Sequence, residues 1–250
     1  MRLIIFPLAF LLSIAILPGC KNNPDKSPLV NNPEQALTDS LKDGEQSVYY
    51  ENGNLHYIVE YKKGKANGRV REYTPDGKIY MDAIYSDGHR DGKCTHFYKN
   101  GIPFSVSNFV NGEKDGIESK YYDDGKLLAT IIYKKNKVQP GLREYKKDGT
   151  EIKQENDLVI KEIDHSASEG KYFFQVSLLK PQANVTFYAS PQSDPESREK
   201  LQLSGNTGIL EIPVSSRHFV MKNLIFQAEY KTHLGNTMRL EKLYHHPVQR

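Results

Sequence analysis

Tryptophan is absent from the 250 residues, and cysteine occurs only at Cys20 and Cys94. The chain also lacks any block of lysine or arginine, and its net charge is only +3, so nothing indicates binding to nucleic acid. No G-x-S-x-G, H-E-x-x-H or phosphate-binding glycine loop occurs in the sequence. These absences argue against the common kinds of hydrolase, metalloprotease and nucleotide-binding enzyme.

Metal ligands are equally scarce. His245 and His246 are adjacent, and neighbouring residues on a strand point to opposite faces, so these two do not form a site together. Acidic turns such as "DDG" at 123 to 125 lack the spacing and the distal glutamate of an EF-hand calcium loop. We therefore expect no metal, no cofactor and no enzymatic activity.

The amino terminus has the pattern of an export signal, which we place at residues 1–19. Arg2 precedes an uncharged apolar run from Leu3 to Leu17, which is short for a membrane span of about 20 residues. The run ends in "LPGC", which resembles the lipobox of bacterial lipoproteins. The resemblance implies cleavage before Cys20 and acylation of its sulfur, with palmitate among the expected chains. An ordinary signal peptide followed by an unrelated cysteine is the alternative.

Lipid at Cys20 would anchor the protein to the bacterial cell envelope almost permanently. Lys21 is not the aspartate that typically retains lipoproteins at the inner membrane of enteric bacteria, so the outer membrane is favoured. Residues 20–46 are rich in Pro, Asn, Ser and Asp, and they are predicted to be a flexible tether. Cys94 would then be the only free thiol, and a lone cysteine is more often a buried hydrophobe than a nucleophile.

The next part of the chain repeats with a period of 24 residues. Five turn glycines, each preceded by Asn or Asp, keep this spacing: Gly53, Gly77, Gly101, Gly125 and Gly149. A second register holds Gly64, Gly88, Gly112 and Asn136, and a third holds Gly68, Gly92 and Gly116 before slipping to Gly141. We place about 4.5 units in residues 47–153.

Asn-Gly or Asp-Gly between alternating segments predicts a β-hairpin with a two-residue type I′ turn. Such a turn makes the residue four before the glycine face the residue three after it. The predicted pairs are Tyr49 with His56, Tyr73 with Tyr80, Phe97 with Phe104, Tyr121 with Leu128, and Tyr145 with Ile152. Stacked hairpins would form a long single-layer antiparallel sheet.

Alternation would give both faces of this sheet apolar or aromatic side chains. An aromatic patch left open is a candidate contact surface, and the basic excess of 19 Lys/Arg over 15 Asp/Glu in residues 47–153 would make it mildly basic. The candidate partner-binding residues are Tyr73, Tyr80, Tyr85, Phe97, Phe104, Phe109, Tyr121 and Tyr133. Alternatively, the tyrosines only pack along the sheet with their hydroxyls in water.

The pattern Y-x-x-[ND]-G-x-[LI], followed by an aromatic eight residues after the glycine and then by G-x-x-x-G, resembles the variant MORN repeat of bacteria. That family is often labelled an antitoxin of toxin–antitoxin systems. The resemblance covers residues 47 to about 153. It implies an elongated twisted sheet that acts in binding or scaffolding. The fourth unit departs from the pattern at Asn136 and Pro140.

The period stops before residue 156. Short β-branched or aromatic runs follow at 158–163, 171–179, 184–189, 208–214, 223–231 and 236–245. Their spacing predicts a small immunoglobulin-like β-sandwich in residues 156–250, with a hairpin formed by the last two runs. The predicted fold class is therefore all-β, an elongated single-layer antiparallel sheet of β-hairpins followed by a small sandwich.

The leading functional hypothesis is a non-catalytic envelope lipoprotein whose repeats bind or scaffold an unidentified envelope or secreted protein. An immunity-type or antitoxin-type inhibitor of a secreted toxin is the main alternative. An envelope hydrolase with its site in the C-terminal domain is a weaker one.

Overall fold

The computed structural model describes residues 43–213 and 223–245. The predicted signal peptide, the lipidation site at Cys20, most of the tether and His246 lie outside these ranges.

Twelve strands form one antiparallel sheet, here called the repeat sheet. They are β1 (Gly44–Tyr49), β2 (Leu55–Lys62), β3 (Lys65–Tyr73), β4 (Ile79–Ser86), β5 (His89–Phe97), β6 (Pro103–Val110), β7 (Glu113–Lys114), β8 (Gly116–Tyr121), β9 (Leu127–Lys134), β10 (Lys137–Val138), β11 (Arg143–Tyr145) and β12 (Glu151–Ile152). Strand order follows chain order, with the two-residue strands β7 and β10 beside β6 and β9. The predicted long sheet of consecutive hairpins is confirmed.

The C-terminal part forms two four-stranded antiparallel sheets. Its elements are β13 (Leu158–His165), α1 (Ser166–Glu169), β14 (Lys171–Leu178), β15 (Thr186–Pro191), β16 (Glu199–Lys200), β17 (Gln202–Ser204), β18 (Thr207–Pro213), β19 (Asn223–Lys231) and β20 (Thr237–His245). One sheet has the order β13-β14-β18-β17 and the other β16-β15-β19-β20. The rings of Phe174 and Phe226, one from each sheet, lie 5.5 Å apart, so the sheets pack face to face as a sandwich.

The turns at the five repeated glycines, here called the tip turns, differ from the prediction. In the first, Tyr50 N–H donates to the Asn54 carbonyl at 2.8 Å and Gly53 N–H donates to the Tyr50 carbonyl at 2.9 Å. Gly53 has φ +83°, whereas Asn52 is not among the residues with positive φ. This is a three-residue loop, a type I turn closed by a glycine bulge, so the predicted type I′ geometry is wrong at the tips.

The type I′ turns lie instead at the second register, here called the return turns. Lys62 pairs with Lys65 across a loop of only two residues, Lys63 and Gly64, and both have positive φ, +52° and +73°. The same geometry recurs at Asp87-Gly88, Asn111-Gly112 and Lys135-Asn136. Each unit therefore alternates a three-residue tip turn with a two-residue return turn.

The extra loop residue at the tips shifts the strand pair next to each tip by one position. In the hairpins β1–β2, β3–β4, β5–β6 and β8–β9 a bulge confines this shift to the last pair, and the pairs farther from the tip keep the predicted register. The observed pairs are Tyr49 with Leu55, Tyr73 with Ile79, Phe97 with Pro103, Tyr121 with Leu127, and Tyr145 with Glu151. All five predicted partners, which were His56, Tyr80, Phe104, Leu128 and Ile152, are wrong by one residue.

The end of the repeat sheet and the sandwich share one hydrophobic core. Ala129, Ile131 and Leu142 of the repeats belong to the same buried cluster as Phe174 and Phe226 of the sandwich. A polar cluster adjoins this core. The Glu144 carboxylate, which is fully buried, accepts hydrogen bonds from Asn236 Nδ2 and Thr232 Oγ1, both at 2.7 Å, and both donors belong to the β19–β20 hairpin region.

Candidate functional site

The repeat sheet has one buried and one open face. Buried side chains alternate with accessible ones along each long strand, and they define the inner face: Val59, Tyr61, Val70, Met81, Ala83, Cys94, Ser105, Ser107, Phe109, Glu118, Ala129 and Ile131. Residues between them define the outer face, because successive side chains of a strand point to opposite sides.

Cations stack on aromatic rings along the inner face. The guanidinium of Arg90 lies 5.1 Å from the centre of the Phe109 ring, and Lys114 Nζ lies 5.0 Å from the centre of the Tyr133 ring. Such contacts contribute roughly 0.5–2 kcal/mol each, more when water is excluded. Phe109 and Tyr133, each eight positions after a tip glycine, therefore have cationic neighbours within the sheet.

Glu118 is a buried carboxylate of this face. Its Oε1 accepts hydrogen bonds from Lys114 Nζ at 2.6 Å and from Ser107 Oγ at 2.9 Å. Burial alone would raise the pKa of Glu118, but the charge of Lys114 and the hydrogen bonds outweigh it and hold the pKa below its ordinary value. The neighbours of Glu118 therefore stabilise its charged form.

Glu72, also on the inner face, has the opposite electrostatic balance. Burial raises the pKa of its carboxyl, although a hydrogen bond with Tyr57 and the charge of Arg90 act in the other direction. The pKa values of these two carboxyls are thus shifted in opposite directions. Of the two, only Glu118 has an ammonium group within hydrogen-bond distance.

Six exposed side chains form a line across the outer face, here called the outer row. They are Arg69, Ile84, Lys93, Asn108, Ile117 and Ile132. Direct strand pairing places Arg69 opposite Ile84, Lys93 opposite Asn108, and Ile117 opposite Ile132. Ile84 is 41% exposed, Ile117 59% and Ile132 38%, so the row combines accessible apolar groups with two cations.

The predicted partner-binding aromatics lie mostly elsewhere. Phe109 is buried on the inner face, with 5% of its surface exposed. The other seven are half-buried: Tyr73, Tyr80, Tyr85, Phe97, Phe104, Tyr121 and Tyr133. Their role in binding a partner stays a prediction, and the structure brings none of them into the outer row.

Three of the five tips have a second aromatic residue, and it has a structural role. The hydroxyl groups of Tyr50, Tyr98 and Tyr122 donate hydrogen bonds of 2.7 Å to backbone carbonyls 23 residues further along the chain. These bonds connect the first, third and fourth tips to the next unit. Asn100 adds a 2.8 Å hydrogen bond from its Nδ2 to the Asp123 carbonyl, so the tips are fastened to one another by side chains.

The third glycine register is explained by backbone conformation. Gly68, Gly92, Gly116 and Gly141 have φ of +120°, +119°, +97° and +111°, which residues with a side chain rarely adopt. Crowding adds to this requirement at Gly68, where a Cβ atom would meet the Glu60 side chain, and at Gly141, where it would lie 3.0 Å from Ile132 Cδ1.

Cys94 is buried in the middle of the repeat sheet, with 1% of its surface exposed, as predicted for a lone cysteine. Burial raises the pKa of its thiol, although the Arg90 charge partly opposes the shift. Within residues 43–213 and 223–245, no three His, Cys, Asp or Glu side chains come together as a potential metal site. In the same part of the chain, no helix is long and apolar enough to cross a membrane.

Sequence reasoning missed the outer row, although the sequence contains a signal for it. Ile84, Asn108 and Ile132 each stand seven residues after a tip glycine, and Arg69, Lys93 and Ile117 each stand sixteen after one. Their exposure depends on which face the twisted sheet buries, and the 24-residue period does not encode that choice.

A family model described as a MORN repeat variant matches residues 42–63, 90–111 and 114–135. The three matches lie within the predicted repeat region, and β-strands of the repeat sheet fall in each of them. Comparison with curated proteins finds no match. Three segments of the chain are thus similar to variant MORN repeats, and residues 66–89 between two of the matches have the same hairpin and turn geometry.

Proposed function

We propose that the protein is a non-catalytic, lipid-anchored binding module of the bacterial cell envelope, whose repeat sheet holds a partner protein through the outer row. The observation that carries the proposal is the unequal exposure of the two faces. The inner face is filled by its own side chains, whereas Ile84, Ile117 and Ile132 stay accessible beside cations. Exposed apolar groups arranged together mark interaction surfaces more often than isolated ones do.

The charge of the outer row favours an acidic partner. Arg69 forms an ion pair with Asp82, while Lys93 makes no ion pair with any residue that the structure describes. Rim charges of this kind steer association and select partners more than they add affinity. The isoleucines would supply apolar contact, and Lys93 would select an acidic surface.

The envelope location rests on the sequence around Cys20. Lipid at this residue, followed by the tether, would present the repeat sheet at a membrane surface, and the outer membrane is the proposed site. Metabolic labelling with a palmitate analogue tests the anchor. Label should be incorporated into the wild-type protein and not into Cys20→Ser, and equal labelling of both would contradict lipidation.

Affinity capture from detergent-solubilised envelopes tests the binding role. The partner should be recovered by the wild-type chain and lost with Ile117→Glu and Ile84→Glu, because a charge there would be buried unpaired in the interface. Leu203→Glu, at a similarly exposed position of the sandwich, is the matched control. Recovery that is unaffected by the outer-row variants but abolished by Tyr73→Ala or Tyr85→Ala would move the site to the predicted aromatics. A toxin among the captured proteins would indicate that the protein binds its partner as an inhibitor of a secreted toxin.

A further inference from the structure

The first strand of the repeat sheet has a free edge. β1 pairs with β2 on one side, and no strand of the described residues pairs with its other side. Next to β1, Tyr50 N–H donates to the Asn54 carbonyl across the hairpin at 2.8 Å. Successive residues of a strand turn their backbone groups to alternate sides. The N–H and C=O groups that face away from β2 are therefore those of Glu45, Ser47 and Tyr49.

The two long edges of the sandwich, β13 and β20, are protected against strand pairing. Glu162 of β13 points towards the opposite sheet, where it accepts a 2.5 Å hydrogen bond from the Tyr244 hydroxyl. Lys242 of β20 points inward as well, and its Nζ donates to the Leu158 carbonyl of β13 at 2.8 Å. Inward-pointing charges at an edge discourage the addition of another strand, because pairing would bury them.

The other edge strands of the described sheets are protected by their shortness. β12 and β16 have two residues each and β17 has three, whereas β1 has six. β1 contains no proline. On the inner face it carries the uncharged Gln46 and Val48, and its one charged side chain, Glu45, lies on the outer face. Within the described residues, β1 is thus the long edge without a protective device.

We propose that the free edge of β1 pairs with β1 of a second copy, antiparallel and about a two-fold axis at Ser47. In this register Ser47 faces Ser47 of the partner, Glu45 faces Tyr49, and Gln46 faces Val48. Each pair whose backbone groups lie on the free edge would exchange two hydrogen bonds. An axis at Glu45 would instead place two carboxylates opposite each other, which is unfavourable.

The position of β1 in the molecule suits such a contact. The sandwich joins the other end of the repeat sheet, where Ala129, Ile131 and Leu142 enter the common core. A two-fold contact is self-complementary and closes after two copies. Lipid anchors would confine the copies to one membrane and raise their local concentration, so a short interface would suffice. The inference does not depend on the outer row, because backbone groups of β1 form the contact.

Disulfide formation tests the register in a chain with Cys20→Ser and Cys94→Ala. Facing residues of a hydrogen-bonded antiparallel pair have Cα atoms about 5.5 Å apart, which a disulfide can span. Ser47→Cys should therefore form a disulfide-linked dimer under mild oxidation. Glu45→Cys is the control, because it would face Tyr49 and not its own copy. A lack of dimer with Ser47→Cys, or equal crosslinking of the two variants, would overturn the proposal.

Charges at the axis test the same contact without cysteine. Ser47→Asp and Ser47→Lys each place like charges opposite each other, so each should weaken self-association about threefold in sedimentation equilibrium. An equimolar mixture of the two variants should associate more tightly than either alone, because the mixed pair joins opposite charges. A mixture that associates no better than the single variants would contradict an axis at position 47.

A proline at the same position tests the backbone contribution. Ser47→Pro removes one N–H donor from each copy and should raise the dissociation constant about thirtyfold. The melting temperature of the dilute protein should not change, because proline is tolerated where the N–H of an edge strand faces solvent. Ser47→Ala keeps the N–H and should associate like the wild type. A wild-type chain that stays monomeric up to about 1 mM would refute the pairing of two copies.

Discussion

At the scale of single residues, the ion pair of Lys114 and Glu118 is the interaction that ties the stability of the repeat sheet most clearly to charge. Lys114 Nζ is 2.6 Å from Glu118 Oε1, and only 4% of the Glu118 side chain is exposed. The pKa of Glu118 is held below its ordinary value of 4.5, so the folded state releases this proton more readily than the unfolded chain. The stabilisation is complete above about pH 4.5 and is lost as pH falls through the folded pKa.

Lys114→Met should therefore destabilise the protein by about 2 kcal/mol near pH 7, because it leaves a buried carboxylate without its counter-charge. The difference from wild type should shrink as pH falls below about 5, where Glu118 of the variant takes up a proton. Urea unfolding at several pH values measures both effects. Lys126→Met is the control, since Lys126 is 59% exposed and lies 3.9 Å from its acidic neighbour. A destabilisation that does not change with pH would show that Lys114 acts through packing alone.

Glu144 is the second residue whose loss should be costly. Its carboxylate accepts hydrogen bonds from Thr232, Asn236 and Gln154, the last at 3.0 Å. Glu144→Ala should lower the free energy of unfolding by about 3 kcal/mol, because it leaves buried donors without acceptors. Glu144→Gln keeps one acceptor oxygen and should cost less. The exposed Glu151→Ala is the control, and an equal effect of Glu144→Ala and Glu151→Ala in chemical denaturation would refute this role.

At the scale of elements, the two turn types make opposite predictions for glycine substitutions. Lys63 has positive φ, so Lys63→Gly should stabilise by about 0.5 kcal/mol after the entropy of glycine is subtracted. Asn52 does not have positive φ, and its Oδ1 accepts a 3.0 Å hydrogen bond from Asn54 N–H. Asn52→Gly should therefore destabilise by about 1 kcal/mol. Thermal unfolding of both variants measures the difference, and stabilisation by Asn52→Gly would mean that the tips are type I′ turns after all.

The turns also show how far the sequence determines the fold. The 24-residue period and the Asn-Gly or Asp-Gly pairs correctly predict consecutive hairpins. They do not distinguish the two turn types, because Asn and Asp suit both for different reasons. In return turns such as Asn111-Gly112 the first residue tolerates positive φ. At the tips its side chain accepts a backbone hydrogen bond, as Asn100 Oδ1 does from Ile102 N–H. That ambiguity caused the one-residue error in the pairs next to the tips.

The candidate site was less predictable than the fold. Alternation groups side chains into two faces, but it does not say which face is buried. The tyrosines that dominate the repeats are largely used within the sheet, as the Tyr98 hydroxyl shows by donating to the Tyr121 carbonyl. Exposed β-branched residues such as Ile117 look like ordinary strand residues in the sequence. Their accessibility becomes visible only when the neighbouring strands are in place.

At the scale of the whole molecule, the shared core predicts coupling between the sandwich and the middle of the repeats. Repeat arrays transmit stability through contacts between neighbouring units. In a chain with Cys20→Ser, alkylation of the buried Cys94 thiol reports opening of β5. Phe174→Leu, in the sandwich, should speed this alkylation about tenfold, because it removes roughly 1.4 kcal/mol of core stability.

The control for this coupling is Leu203→Ala, which alters a sandwich residue that is 54% exposed and should leave the alkylation rate unchanged. Equal rates in Phe174→Leu and in the parent chain would mean that β5 opens independently of the sandwich. The repeat sheet would then behave as a separate folding unit despite the common core.

The binding role of the outer row is tested most directly by site-specific photo-crosslinking in intact envelopes. A photoreactive amino acid is placed at position 117, which is 59% exposed on the outer face, or at position 203, which is 54% exposed on the sandwich. Position 117 should crosslink to one defined polypeptide, position 203 should not, and Ile84→Glu should abolish the adduct. An adduct from position 203 alone, or one from position 117 that survives Ile84→Glu, would contradict the assignment of partner binding to the outer row.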